Sequence, residues 1–254
     1  MTHSATPLLS LNDESVISRL MDITDDKGYN QVWAASETNR VRAERRCDYM
    51  ISRMASKPGA KILEIGCGLG ANAFLIARKT GADVLGTDLC VPFIQQAREK
   101  FSLPNLRYEV HDFHCADSFE AETFDCVVGN GILHHLYPKL EDALVKIKRL
   151  LKAGGRIIFL EPNIYNPYVY LIFRYPPLRR FARLEPDEMA FSKRFVATKL
   201  QCVGYRNVRV EFRDFLIPGI PLYLIRPSIL IGAALERIWA INWLAQSIYI
   251  SAEK

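Results

Sequence analysis

From Lys61 onward, short apolar runs alternate with helical segments, and this alternation limits the fold more than any other feature of the chain. Parallel strands need a long crossover, usually a helix, so repeated strand–helix units build an open sheet with helices on both faces. Ile62-Leu63-Glu64-Ile65 reads as a first buried strand, 72–80 as a helix stopped by Gly81, and Val84-Leu85-Gly86-Thr87 as a second strand. Pro92 suits the first turn of the next helix, whose Ile94, Ala97 and Phe101 share one face. Further strands are predicted at 106–110, 124–129 and 156–160. Leu140, Leu144, Ile147 and Leu151 recur at helical spacing, and Gly154-Gly155 is expected to end that helix. Residues 208–212 and 248–251 alternate as two more strands.

A chain of 254 residues holds one such α/β domain with additions. Its hydrophobic content of 49% and charged content of 24% are ordinary for a soluble globular protein. The net charge of +5 permits attraction to an anionic surface without requiring nucleic acid. The six cysteines (Cys47, Cys67, Cys90, Cys115, Cys126 and Cys202) form no C-x-x-C pair, and residues 1–12 lack a secretory pattern. Reduced thiols in a cytoplasm are the expected setting.

The segment Leu63-Glu64-Ile65-Gly66-Cys67-Gly68-Leu69-Gly70-Ala71-Asn72 joins the first strand to its helix. Glycines there let the backbone turn sharply and let a ligand approach the main chain, at the carboxyl end of a strand where open sheets bind ligands. Spacing alone is ambiguous. Gly66, Gly68 and Ala71 also fit G-x-G-x-x-A, with Asp88 placed as a ribose-binding acid, so a nicotinamide-dependent oxidoreductase is one reading. A tight turn that binds nothing is another.

Glu64 extends the loop to E-x-G-x-G-x-G, and His111-Asp112-Phe113 closes the third strand. The stretch from Phe124 through Gly129-Asn130-Gly131 to His134-His135, and Leu150-Leu151-Lys152-Ala153-Gly154-Gly155, complete a set of four ordered motifs. Together they resemble class I S-adenosylmethionine-dependent methyltransferases, including those of quinone biosynthesis. The resemblance implies a doubly wound, seven-stranded, mostly parallel sheet whose last strand is antiparallel. It implies S-adenosylmethionine held by Glu64, Gly66, Cys67, Gly68, Gly70, Asp88, Leu89, His111, Asp112, Phe113, Asn130 and Gly131, with no metal. Asp88 would accept both ribose hydroxyls and Asp112 the adenine amino group, although either acid could instead cap its own turn. A single domain over 1–254 follows, with a helical lid at 1–58, a cofactor-binding core at 59–163, and insertions at 164–192 and 215–245.

A methyl group moves by direct displacement, so the acceptor needs a base more than the enzyme needs a nucleophile. His134 and His135 follow the fourth strand, and Glu161 follows the fifth. All three are candidate catalytic residues, with His135 favoured by its match to a histidine recurrent in the family. Packing of the turn is the alternative for each. Tyr165 and Tyr168 are candidates to line the acceptor pocket or simply to pack.

Residues 165–183 mix aromatics and aliphatics with four arginines, a composition suited to a membrane interface. Residues 215–245 are similarly apolar, but Pro218, Pro221, Arg226 and Pro227 interrupt them, which argues against a spanning helix. Ser228 is expected to begin a helix. The two segments are expected to form one cap over the acceptor, with Leu224, Ile231 and Trp239 buried and Arg179 and Arg180 facing solvent or headgroups. The expected reaction is therefore methyl transfer to a hydrophobic small molecule or lipid, at oxygen before carbon or nitrogen, with peripheral membrane contact open. Nucleic acid is disfavoured, because no extended basic stripe or RNA-binding motif is present. A cofactor-binding partner protein without activity is the non-enzymatic alternative.

Overall fold

The computed structural model describes residues 37–54, 57–113, 119–182, 184, 186–217 and 220–254. Cys115 and residues 1–36 of the expected lid lie outside them. The helix α1 (Glu37–Met54) precedes the alternating units β1 (Lys61–Ile65), α2 (Ala71–Thr80), β2 (Asp83–Asp88), α3 (Val91–Lys100), β3 (Leu106–Val110), β4 (Phe124–Asn130), α4 (Leu140–Leu150) and β5 (Leu151–Pro162). Then come α5 (Pro167–Arg174), α6 (Pro176–Phe181), α7 (Lys193–Cys202), β6 (Arg206–Arg213), α8 (Leu222–Leu235) and β7 (Ser247–Glu253).

The seven strands form one sheet in the order β3-β2-β1-β4-β5-β7-β6, with β7 antiparallel to both neighbours. Dinucleotide-binding sheets run 3-2-1-4-5-6 with every strand parallel. The inserted antiparallel strand separates this fold from theirs, and the predicted architecture stands.

Alternation along the strands fills two cores. Leu63, Val127, Ile157 and Phe159 face α4 and α7, while Ile62, Cys126, Val128 and Ile158 face α1, α2 and α3. Phe159 is fully buried, and truncating it to alanine would cost about 3–5 kcal/mol. The described part of the expected lid is α1, which packs into the second core through Cys47, Met50 and Met54. Arg42 Nε and Arg46 Nε also reach Asp214 Oδ2 from α1, at 2.9 and 2.8 Å.

Two local expectations fail. The fourth helix ends at Leu150, and Gly154-Gly155 lies inside β5 instead of terminating that helix. Phe124 pairs with Leu151 but Cys126 with Arg156, so β5 loops out between these contacts, and Gly154 takes the left-handed φ of 73° that the loop requires. The last long helix starts at Leu222 and carries Pro227 within it, where a start at Ser228 was predicted. A proline removes only one helical N–H donor, and the apolar residues on both sides stay in helical register around it.

Candidate active site

β3, β2, β1 and β4 lie side by side in the sheet, so their carboxyl ends bring the glycine loop, Asp88, His111-Asp112-Phe113 and the Gly129-Asn130-Gly131 turn to one rim, while Leu150 to Gly155 lies at the opposite end, where β5 begins. Gly66, Gly68 and Gly70 all have left-handed φ, at 68°, 52° and 82°. A Cβ on Gly66 would come within 2.7 Å of Ile132, and one on Gly70 within 2.7 Å of Tyr108 Oη. The turn after β4 therefore leans on the turn after β1, and neither glycine tolerates a side chain.

Asp88 ties this loop together. Its Oδ2 accepts Gly68 N–H at 2.8 Å and its Oδ1 accepts Cys90 N–H at 2.9 Å. Burial raises its pKa, and the Cys90 and Gly68 amides and the nearby His135 act against that rise. The turn-holding role is thus real, and each oxygen keeps a second lone pair for a hydroxyl donor. Leu89 stands beside it, half-buried. His111 N–H donates to Asp88 O at 2.9 Å, which fastens the end of β3 to β2. His111 and Asp112 are buried, Phe113 is half-buried, and burial lowers the His111 pKa.

Glu64 is buried, and burial pushes its pKa up to about 7. Its Oε1 accepts from Asn72 Nδ2 at 2.6 Å, while Oε2 is buried with no hydrogen-bond partner. An acceptor oxygen left unsatisfied beside a glycine loop fits a ligand that brings its own donor or positive charge. S-adenosylmethionine, with an ammonium, a sulfonium and a ribose diol, matches that acceptor and Asp88. Cys67 is buried with its thiol pKa pushed far up, so it is no nucleophile.

The turn after β4 hangs on Glu161. This fully buried carboxylate accepts the N–H groups of Ile132 and Leu133 through Oε1, at 3.0 and 2.8 Å. Its Oε2 lies 2.8 Å from His134 Nδ1 and 3.3 Å from His134 N. Gly131 N–H donates to Leu160 O at 2.7 Å, which sets Asn130 and Gly131 at the end of the strand. Glu161 is thus fully buried, with both carboxylate oxygens turned to the amides and imidazole of the turn after β4. His134 is buried beside it.

His135 differs. Its side chain is 43% exposed, and its Nδ1 is 2.8 Å from Oε1 of the buried Glu188. Sequence reading missed Glu188, which sits in the irregular stretch between α6 and α7, where no periodicity or motif marks it. His134, His135 and Glu188 also present potential ligand atoms all within 4.8 Å of one another.

The cap is built differently from expectation. Leu224, Ile231 and Trp239 are exposed, not buried, and Arg179 turns inward to the carbonyls of Phe173, Pro186 and Glu188. The lead into α8 is fastened to α1, where Thr38 Oγ1 donates to Ile220 O at 2.8 Å. The two segments meet at their bases, where Asn166 Nδ2 donates to Leu244 O at 2.6 Å. Phe173 packs edge-on to His134 at 6.1 Å, while Tyr165 and Tyr168 are exposed. Among the described residues no helix is long and apolar enough to cross a membrane.

An open sheet of this order, with a glycine loop after β1 and an acid after β2, defines the Rossmann-like fold of S-adenosylmethionine-dependent methyltransferases. Residues 62–155 match the family model described as a methyltransferase domain. Methyltransferase GfsG of Streptomyces halstedii is 30% identical over 122 residues, covering 46% of this chain and 43% of that protein. Squalene methyltransferase 1 of Botryococcus braunii is 36% identical over 111 residues, covering 41% of this chain and 29% of that protein. The chain thus spans less than half the length of either curated relative. A crystal structure of a SAM-dependent methyltransferase from Archaeoglobus fulgidus shares the fold, with a TM-score of 0.60 at 20% identity over 85% of this chain and 94% of that one.

Proposed function

We propose that this protein transfers a methyl group from S-adenosylmethionine to a hydroxyl of a hydrophobic small molecule or lipid, with His135 as the general base. The observation that carries the reading is the pairing of the half-exposed His135 with the buried Glu188 at the rim that Asp88 and the glycine loop share. The cofactor supplies an electrophilic methyl group. Glu64 would face its cationic methionine end, Asp88 its ribose and Asp112 its adenine, with the amides and carbonyls of Gly66 to Gly70 and Asn130-Gly131 along its length. His111, Phe113 and Leu89 would enclose the adenosine.

Glu188, ionised, only accepts hydrogen bonds, so it holds the proton of His135 on Nδ1 and leaves the Nε2 lone pair to take one from the acceptor. Its negative charge then stabilises the imidazolium that forms. Glu161 and His134 keep the turn rigid beneath this pair. A hydrophobic acceptor is supported by the apolar segments around the rim and by the likeness to a squalene methyltransferase. The likeness of the motifs to quinone-biosynthesis enzymes favours a hydroxylated ring or isoprenoid as its chemistry. A single-domain organisation over 1–254, with 59–163 as the cofactor core and 164–192 and 215–245 shaping the acceptor side, belongs to the same reading.

The test is turnover of the labelled methyl donor with panels of hydroxylated and non-hydroxylated isoprenoids and aromatics. Transfer to hydroxylated members that is lost in His135→Ala, with cofactor affinity intact, supports the reading. Transfer to carbon or nitrogen alone would replace it.

A further inference from the structure

Residues 164–192 and 215–245 contain six arginines, four acids and no lysine. Of the acids, Glu188 is buried against His135, and Glu236 is engaged by Arg213 Nη1 and by Asp214 N–H, both at 2.9 Å. Arg174, Arg180, Arg226 and Arg237 are exposed.

The same segments expose their largest apolar side chains. Phe181 is 87% exposed, Trp239 85%, Tyr223 76% and Leu230 72%. Helix α8 is one-sided in an unusual sense. Ile225 and Gly232 face inward, where a Cβ on Gly232 would lie 3.1 Å from Phe215 Cβ, while Tyr223, Pro227, Leu230 and Ile231 point out. A helix turned to water would carry polar groups on that face.

Both segments leave the same end of the sheet. Pro162 at the end of β5 pairs with Ser247 at the start of β7, and Asn163 Nδ2 clasps the carbonyls of Trp243 and Ala245 at 2.8 and 2.7 Å. That end is the carboxyl rim that bears His135 and Asp88. Exposed apolar surface of this extent is uncommon on a soluble monomer. Aromatic and aliphatic side chains among arginines that outnumber the acids complement the apolar boundary and negative headgroups of a lipid surface.

We propose that this rim docks peripherally on an anionic phospholipid bilayer, with α8 and the α5–α6 segment at the interface and the active-site mouth opening against it. The docking stands on the surface alone; uptake of the methyl acceptor from the bilayer rests on the methyl-transfer reading.

Flotation of the full chain with phosphatidylcholine vesicles, with and without phosphatidylglycerol, tests the docking. Wild-type protein should float only with the anionic vesicles, and less as salt rises. Tyr223→Ser/Trp239→Ser and Arg226→Glu/Arg237→Glu should each weaken binding roughly tenfold or more while S-adenosylmethionine affinity stays unchanged. No flotation of the wild type, or equal flotation of both variants, would overturn the proposal. So would a vesicle-free dimer that Tyr223→Ser/Trp239→Ser splits into monomers, since a second copy would then cover the surface. Flotation without binding of S-adenosylmethionine would support docking and count against the methyl-transfer reading.

Discussion

His135 Nδ1 lies 2.8 Å from Glu188 Oε1, a half-exposed imidazole against a buried carboxyl group from a distant part of the chain. If this pair removes the acceptor proton, His135→Ala lowers kcat by about 10²-fold or more with cofactor affinity near normal. Glu188→Gln should lower kcat in the same direction and leave cofactor affinity unchanged. Single-turnover methyl transfer, with cofactor affinity measured separately, checks both.

The ligand-like grouping of His134, His135 and Glu188 gives a second check on the same chemistry. Acid–base action by His135 predicts full activity after chelation and dialysis, and inhibition by added zinc, which would occupy the nitrogen that takes the proton. Activity lost to a chelator and restored by one divalent ion would assign the site to a metal.

If Glu161 acts through the turn it holds, its loss costs stability before it costs chemistry. Removing its carboxylate in Glu161→Ala orphans the Ile132 and Leu133 amides, so stability should fall by roughly 1–3 kcal/mol, measured by urea unfolding. Glu161→Gln keeps one acceptor oxygen and should lose less. A stable Glu161→Gln variant that retains wild-type kcat is expected; a stable variant with no turnover would make Glu161 catalytic.

Glu64 predicts a pH dependence. Its folded pKa of about 7 exceeds the ordinary 4.5, so between these values the folded chain holds a proton that the unfolded chain has released. Stability therefore falls as pH rises through this window, by roughly 3 kcal/mol in total, and is level above it. Glu64→Gln should abolish that slope. Binding of a cationic cofactor beside Oε2 favours the carboxylate, so calorimetry near pH 6 in buffers of different ionisation enthalpy should register proton release. A buffer-independent enthalpy would place the cofactor's charge elsewhere.

The places of the glycine loop, Asp88, Asp112 and Asn130-Gly131 at strand ends were legible in the sequence, because the alternation marks where each strand stops; the order that sets those ends side by side comes from the structure. The seventh strand and its direction also follow from the resemblance. Glu188 was not legible: its role depends on the chain returning to His135 in space, and no local pattern records that contact. The inward face of α8 was misjudged for a related reason. Leu224 and Ile231, and Trp239 beyond the helix, look like core in a linear reading, and only the position of α1 and Phe215 decides which side of α8 is covered. Gly154-Gly155 read as a helix stop because the loop-out in β5 arises from pairing with β4, which local sequence does not encode.

Asp88 offers a sharp substitution. Asp88→Ala should weaken S-adenosylmethionine binding by roughly 1.5–3 kcal/mol, the range for hydrogen bonds to a charged group. Asp88→Asn is not benign, since its amide would set a donor against Gly68 N–H or Cys90 N–H. Unchanged affinity in folded Asp88→Ala protein would move the ribose away from β2.

Mass spectrometry of a native lipid extract, incubated with the protein and an isotopically labelled methyl donor, tests methyl transfer from S-adenosylmethionine to a hydrophobic acceptor. Label should appear in an organic-soluble product, formed by wild-type protein and reduced about 10²-fold or more with His135→Ala. Label confined to water-soluble products would contradict the hydrophobic acceptor. No label, together with saturable binding of a nicotinamide dinucleotide and none of S-adenosylmethionine, would contradict the methyltransferase itself.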